Sequence, residues 1–116
     1  MKTIKIDKEY DLKFTAGSLK MIFDEYKLKN IVELFNFLAD NSTNPNVSTF
    51  ILYSGLKRTY SDLTVEKLDS FIDEYITLDK LLPFYAEVFT ELTESFGVDL
   101  AKNVKAPIKK IHSKKK

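Results

Sequence analysis

At 116 residues, with 44% hydrophobic residues, nine Phe and six Tyr, the chain has the size and composition of one small domain with a single core. The lack of any Cys excludes a disulfide framework and a thiolate metal site and suits an intracellular life; the closely spaced charges of Met1–Asp7 leave no apolar run for a cleaved leader or a membrane span, so a soluble protein is expected. The net charge of +1 hides an asymmetry, because residues 102–116 hold seven of the 18 basic residues and none of the 17 acidic ones.

Thr3–Ile6 and Tyr10–Phe14 alternate apolar with polar residues around a turn at Asp7-Lys8-Glu9. This predicts a β-hairpin over 2–15 with Ile4, Ile6, Leu12 and Phe14 on one face. A lone hairpin is barely stable in water, so that face must lie on helices. Thr15 or Ser18 can cap a first helix at about 17–27, in which Leu19, Ile22, Phe23 and Tyr26 share a face. Asn30 can cap a second at about 30–40, with Glu33 placed to complete a capping-box-like arrangement and Ile31, Leu34, Phe35 and Leu38 inward. Asp40–Asn46 is a polar, turn-rich segment and reads as a loop.

A third helix is predicted over 47–59, apolar around more than half its circumference and therefore central. Gly55 within it costs about 1 kcal/mol relative to Ala, which a close helix crossing would explain. Thr64 caps a fourth helix, about 64–76, with Val65, Leu68, Ile72, Tyr75 and Ile76 as its stripe. The fifth, about 79–97, places Leu78, Leu81, Leu82, Tyr85, Val88, Phe89, Leu92 and Phe96 on one face. With Asp79 as its cap, Pro83 falls in the first turn, where an N–H has no helical partner; Gly97 is a natural stop. The expected fold is α+β, mostly α: a hairpin on a bundle of about five helices forming one domain, 1–101, followed by a basic tail, 102–116, expected to be disordered in isolation.

Residues for chemistry are sparse. His112, the single histidine, sits among tail lysines without partners that would orient it, and reads as a solvated bystander. Asp24-Glu25 and Asp73-Glu74 are adjacent in helices and diverge by about 100°, as solvated faces do. There is no phosphate-binding Gly-rich loop, no nucleophile elbow and no metal-ligand spacing, so neither an enzyme nor a cofactor is expected. The tail lysines suggest a second reading, a small nucleic-acid-binding or regulatory protein. The tail lacks Arg and stacking aromatics and hangs from an acidic body that would repel the same backbone, so nucleic acid is the weaker expectation. Deleting 102–116 separates the two, since it would abolish nucleic-acid binding and spare a partner held by the helices.

The hairpin TIKIDKEYDLKFT running into Gly17–Tyr26, the segment Leu52-Tyr-Ser-Gly-Leu-Lys, and Leu63-Thr-Val-Glu-Lys-Leu-Asp-Ser-Phe-Ile-Asp occur in an order that resembles the tail assembly chaperones of long-tailed bacteriophages and prophages. The resemblance covers residues 2–97 and is carried by the ordered combination rather than by any one motif. It implies a non-enzymatic chaperone in the bacterial host cytoplasm that binds the tape measure protein, keeps it soluble and helps recruit tail tube subunits. It also implies a short form alongside a longer, frameshifted one, with which the closing Lys114-Lys115-Lys116 is compatible. A client that is a long amphipathic helix needs exposed apolar grooves. The third to fifth helices are the expected surface, with Tyr53, Leu56, Phe71 and Ile72 as partner-binding candidates; Phe37, which lies off its helix's apolar face, is a further anchor. A homo-oligomer is left open.

Overall fold

Alternation at the N-terminus produces an antiparallel pair, β1 (Lys2–Lys5) and β2 (Glu9–Leu12), in the computed structural model, which describes residues 2–96. The register sets Lys2 against Leu12, Thr3 against Asp11, Ile4 against Tyr10 and Lys5 against Glu9. Ile4, Ile6 and Leu12 are buried and Phe14 is partly so, as the period of two requires. Tyr10 joins them because it sits directly across from Ile4; its hydroxyl donates to Asp7 in the turn at 2.7 Å.

Five helices follow: α1 (Ala16–Tyr26), α2 (Ile31–Asp40), α3 (Pro45–Leu56), α4 (Val65–Tyr75) and α5 (Leu78–Ser95). The chain is thus α+β and mostly α, with the hairpin against the helices. Thr15 and Ser18 act together at the start of α1, each side chain accepting from the other's backbone N–H. The helix ends at Lys27 in the left-handed conformation, φ 54°, with Leu28 N–H returning to Phe23 C=O. Asn30 accepts from Glu33 N–H at 2.9 Å, and the Glu33 carboxylate reaches back to Lys29 N–H. Thr64 caps α4 by accepting from Lys67 N–H.

Two helices differ in their boundaries from the sequence expectation, α3 at both ends and α5 at its start. α3 begins at Pro45, two residues early, because Asn44 accepts from Asn46 and Val47 N–H and proline is tolerated in the first turn. It closes at Leu56, whose carbonyl takes N–H groups from both Thr59 and Tyr60 and so tightens the final turn. α5 begins at Leu78 after Thr77, not after Asp79, so Pro83 lies inside the helix rather than in its first turn. Asp79 sits within that first turn, where a hydrogen bond from the Thr77 hydroxyl lowers its carboxyl pKa. The expected stop at Gly97 and the tail lie outside the described residues.

α3 is the central element. Eight of its twelve residues are buried, and it touches α1, α4, α5 and β2. Ser54 is accommodated there by donating to Ile51 C=O, and the Thr49 hydroxyl by sharing a 2.8 Å hydrogen bond with Tyr85 of α5. Gly55 does not mark a helix crossing. A β-carbon there would lie 2.5 Å from Leu12 Cδ1 and 2.8 Å from Phe14 Cε1, so the close neighbour is the hairpin. Lys13 N–H donates to Gly55 C=O at 2.9 Å and Asp11 N–H donates to the Tyr60 hydroxyl at 2.8 Å. One outward N–H group of β2 and that of Lys13 just after it are satisfied in this way, and the end of α3 with the segment that follows it covers an edge that would otherwise be open to pairing. Among the described residues no helix is long and apolar enough to cross a membrane.

Candidate interaction surface on α4 and α5

The residues singled out from the sequence fall into three environments. Leu56 is fully buried and Ile72 is 6% exposed, so both belong to the core and cannot meet a partner directly. Leu56 ends the buried run Ser54-Gly55-Leu56 of α3, and Ile72 continues the buried stripe from Leu68. Phe37 and Tyr53 are half-buried and connected by rings: Phe37 lies 4.5 Å from Tyr26, Tyr26 5.7 Å from Phe50, and Phe50 5.9 Å from Tyr53. This aromatic run joins α1, α2 and α3, and burial pushes the Tyr26 phenol up to about 12, helped by the charge of Glu25.

Phe71 stands apart from that run. It lines a recess of about 430 Å³ with Asp7, Lys8, Tyr10, Tyr60 and Lys67. Lys8 Nζ sits 5.2 Å from the Tyr10 ring centre and 5.6 Å from that of Tyr60, and the two rings meet edge to face at 5.0 Å. Burial, and then the hydrogen bond to Asp7, raise the Tyr10 pKa. These contacts tie the hairpin turn to the segment after α3.

The largest departure from the sequence expectation is the N-terminal half of α5. Leu78 and Leu82, expected on its inner face, are 84% and 54% exposed, and of residues 78–83 only Leu81 is partly shielded. Length explains this. An 18-residue α5 is about 27 Å long at 1.5 Å per residue, against about 18 Å for the 12 residues of α3 and about 17 Å for the 11 of α4. Phe84, Tyr85, Val88 and Leu92 use up the available partners, and the first turns of α5 extend past them. The apolar stripe reads continuously in sequence because periodicity reports a face, not the length of what covers it.

On the other side of α5 from Leu78 and Leu82 is a groove of about 570 Å³. Tyr75 and Ile76 at the end of α4, Pro83 and Phe84 of α5 and Ile6 after β1 form its apolar lining, with Lys5, Lys80 and Glu87 at the rim. Tyr75 is 52% exposed. Apolar side chains are therefore presented on both flanks of one helix end. This arrangement suits capture of an apolar helix face or strand and offers no nucleophile held by a base. Among the described residues no cluster of His, Cys, Asp or Glu could hold a metal ion.

Charge is distributed unevenly about this surface. Residues 65–96 carry eight acidic and two basic residues, whereas residues 2–64 are nearly balanced, with eight acidic and nine basic. The chain matches no known protein family, and no curated protein or solved structure is significantly similar to it.

Proposed function

We propose that the chain is a non-enzymatic tail assembly chaperone of a long-tailed phage or prophage, which binds the tape measure protein, keeps it soluble in the host cytoplasm and helps recruit tail tube subunits around it. The ordered segments Thr3–Thr15, Gly17–Tyr26, Leu52–Lys57 and Leu63–Asp73 support this reading by resemblance. The observation that carries it physically is the exposed apolar end of α5, with Leu78 and Leu82 outward on one flank and the Tyr75/Ile76/Pro83/Phe84 groove on the other. A long amphipathic helical client offers apolar residues at i, i+3, i+4 and i+7, which need such a ridge and groove and no catalytic group. Phe71, Tyr53 and Phe37 remain as secondary contacts, each half-buried and able to contribute an exposed ring edge.

Co-expression with the cognate tape measure protein tests the reading. The expected outcome is a soluble client that co-purifies with this chain. A client equally soluble in its absence, with no complex formed, overturns it.

A further inference from the structure

The groove between the end of α4 and the N-terminal half of α5 is apolar at its centre, with Lys5, Lys80 and Glu87 at its rim, and the acidic excess of residues 65–96 continues away from it along α5. Continuing along α5 from Pro83, Glu87, Glu91 and Glu94 succeed one another at roughly one-turn spacing on the same side of the helix, with Lys2 3.8 Å from Glu87. A second copy of this surface would bring like charges together and is disfavoured on that ground. An occupant that is both basic and aliphatic satisfies the groove and its acidic approach together.

The chain carries such a segment in its own sequence. Residues 102–116 contain seven Lys and no acidic residue, and place Val104, Ile108 and Ile111 among them. We propose that this segment docks on its own domain. Ile108 and Ile111 enter the groove against Tyr75, Ile76, Pro83 and Phe84, and Lys102 and Lys105 lie over the Glu87–Glu94 side of α5. The path is long enough. From Phe96 back to Pro83 is about 20 Å along the helix at 1.5 Å per residue, while residues 97–108 can span about 40 Å at ~3.3 Å per residue, which leaves slack for the reversal. Lys5 and Lys80 at the rim oppose the tail lysines. The groove itself therefore takes the aliphatic side chains, and the lysines settle farther along α5. Docking in this way covers the groove flank of the surface assigned above to a client and leaves Leu78 and Leu82 open, and it does not depend on that assignment.

The cysteine-free sequence makes the test clean, because Ser113→Cys provides a single attachment point for a nitroxide two residues past Ile111. In the full-length chain at low salt, the amides of Ile6 and of residues 75–82 and 84–87 should lose most of their NMR intensity to the spin label. They should regain it at high salt, and also when Ile108→Asp and Ile111→Asp are introduced together. Broadening confined to residues next to Phe96, or broadening indifferent to salt and to the Asp substitutions, overturns the proposal. Mixing isotope-labelled, label-free chains with spin-labelled, isotope-free chains distinguishes a neighbour's tail from the chain's own. Broadening in that mixture equal to that within one chain also overturns it.

Discussion

Gly55→Ala tests how the hairpin is held. The added methyl would lie 2.5 Å from Leu12 Cδ1 and 2.8 Å from Phe14 Cε1, roughly 1 Å inside the ~3.5–4.0 Å separation of carbons in contact. Leu12 is fully buried, so its side chain can give way only by displacing its neighbours, and the hydrogen bond from Lys13 N–H to Gly55 C=O, at 2.9 Å, holds the two backbones together. Phe14, partly exposed, can turn aside. Overpacking of this kind costs about 1–3 kcal/mol, while the gain from replacing Gly by Ala, about 1 kcal/mol in a helix interior, is smaller at Gly55, one residue from the end of α3. The expected net loss is about 1 kcal/mol, seen as a fall in melting temperature of about 4–8 °C for a domain of this size. Urea unfolding followed by far-UV circular dichroism measures it. Leu12→Ala alone should cost about 2–5 kcal/mol. Combined with Gly55→Ala it should cost at least about 1 kcal/mol less than the sum, because the new methyl enters the space that Leu12 vacates. A Gly55→Ala chain as stable as the parent, or strict additivity in the double variant, refutes the close approach.

Two further perturbations probe the core. Tyr85→Phe leaves the Thr49 hydroxyl buried without its 2.8 Å partner and should cost about 1–3 kcal/mol in denaturant unfolding; adding Thr49→Val should recover part of that loss, since removing both partners is milder than orphaning one. The raised pKa of Tyr26, about 12, and the upward shifts at Tyr10 and Tyr85 mean that the folded chain keeps protons which the unfolded chain releases near pH ~10. Stability contributed by these phenols is therefore complete below about pH 10 and declines as pH rises from there through 12. Tyr26→Phe should show a shallower alkaline decline than the parent, and an unchanged slope would contradict the assignment.

Much of the fold was legible because local rules and tertiary packing agree. The alternation of Ile4, Ile6, Leu12 and Phe14, the caps Thr15, Asn30 and Thr64, and the inward stripe Leu68/Ile72 each recur in the structure. Less was legible wherever the deciding neighbour is remote in sequence. Gly55 shows that something approaches α3 closely, but glycine does not say whether it is a helix or a strand. Asn44-Pro45 is a cap and first-turn signal hidden in a segment whose composition reads as loop. Leu56 and Leu78 are both leucines on apolar stripes. One is fully buried in the central helix and the other is 84% exposed at the overhanging start of α5, and the relative lengths of α3, α4 and α5 distinguish them.

That exposed end of α5 carries the functional account, so Leu78→Asp with Leu82→Asp is its most direct test. Both positions face solvent, and the double variant should unfold within about 1 kcal/mol of the parent, as surface substitutions do. Burying each leucine in a complex contributes about 1.5–3 kcal/mol, so its affinity for the cognate tape measure protein, measured by titration calorimetry on the purified partners, should fall at least about tenfold. Unchanged affinity in a variant that folds normally would contradict the account.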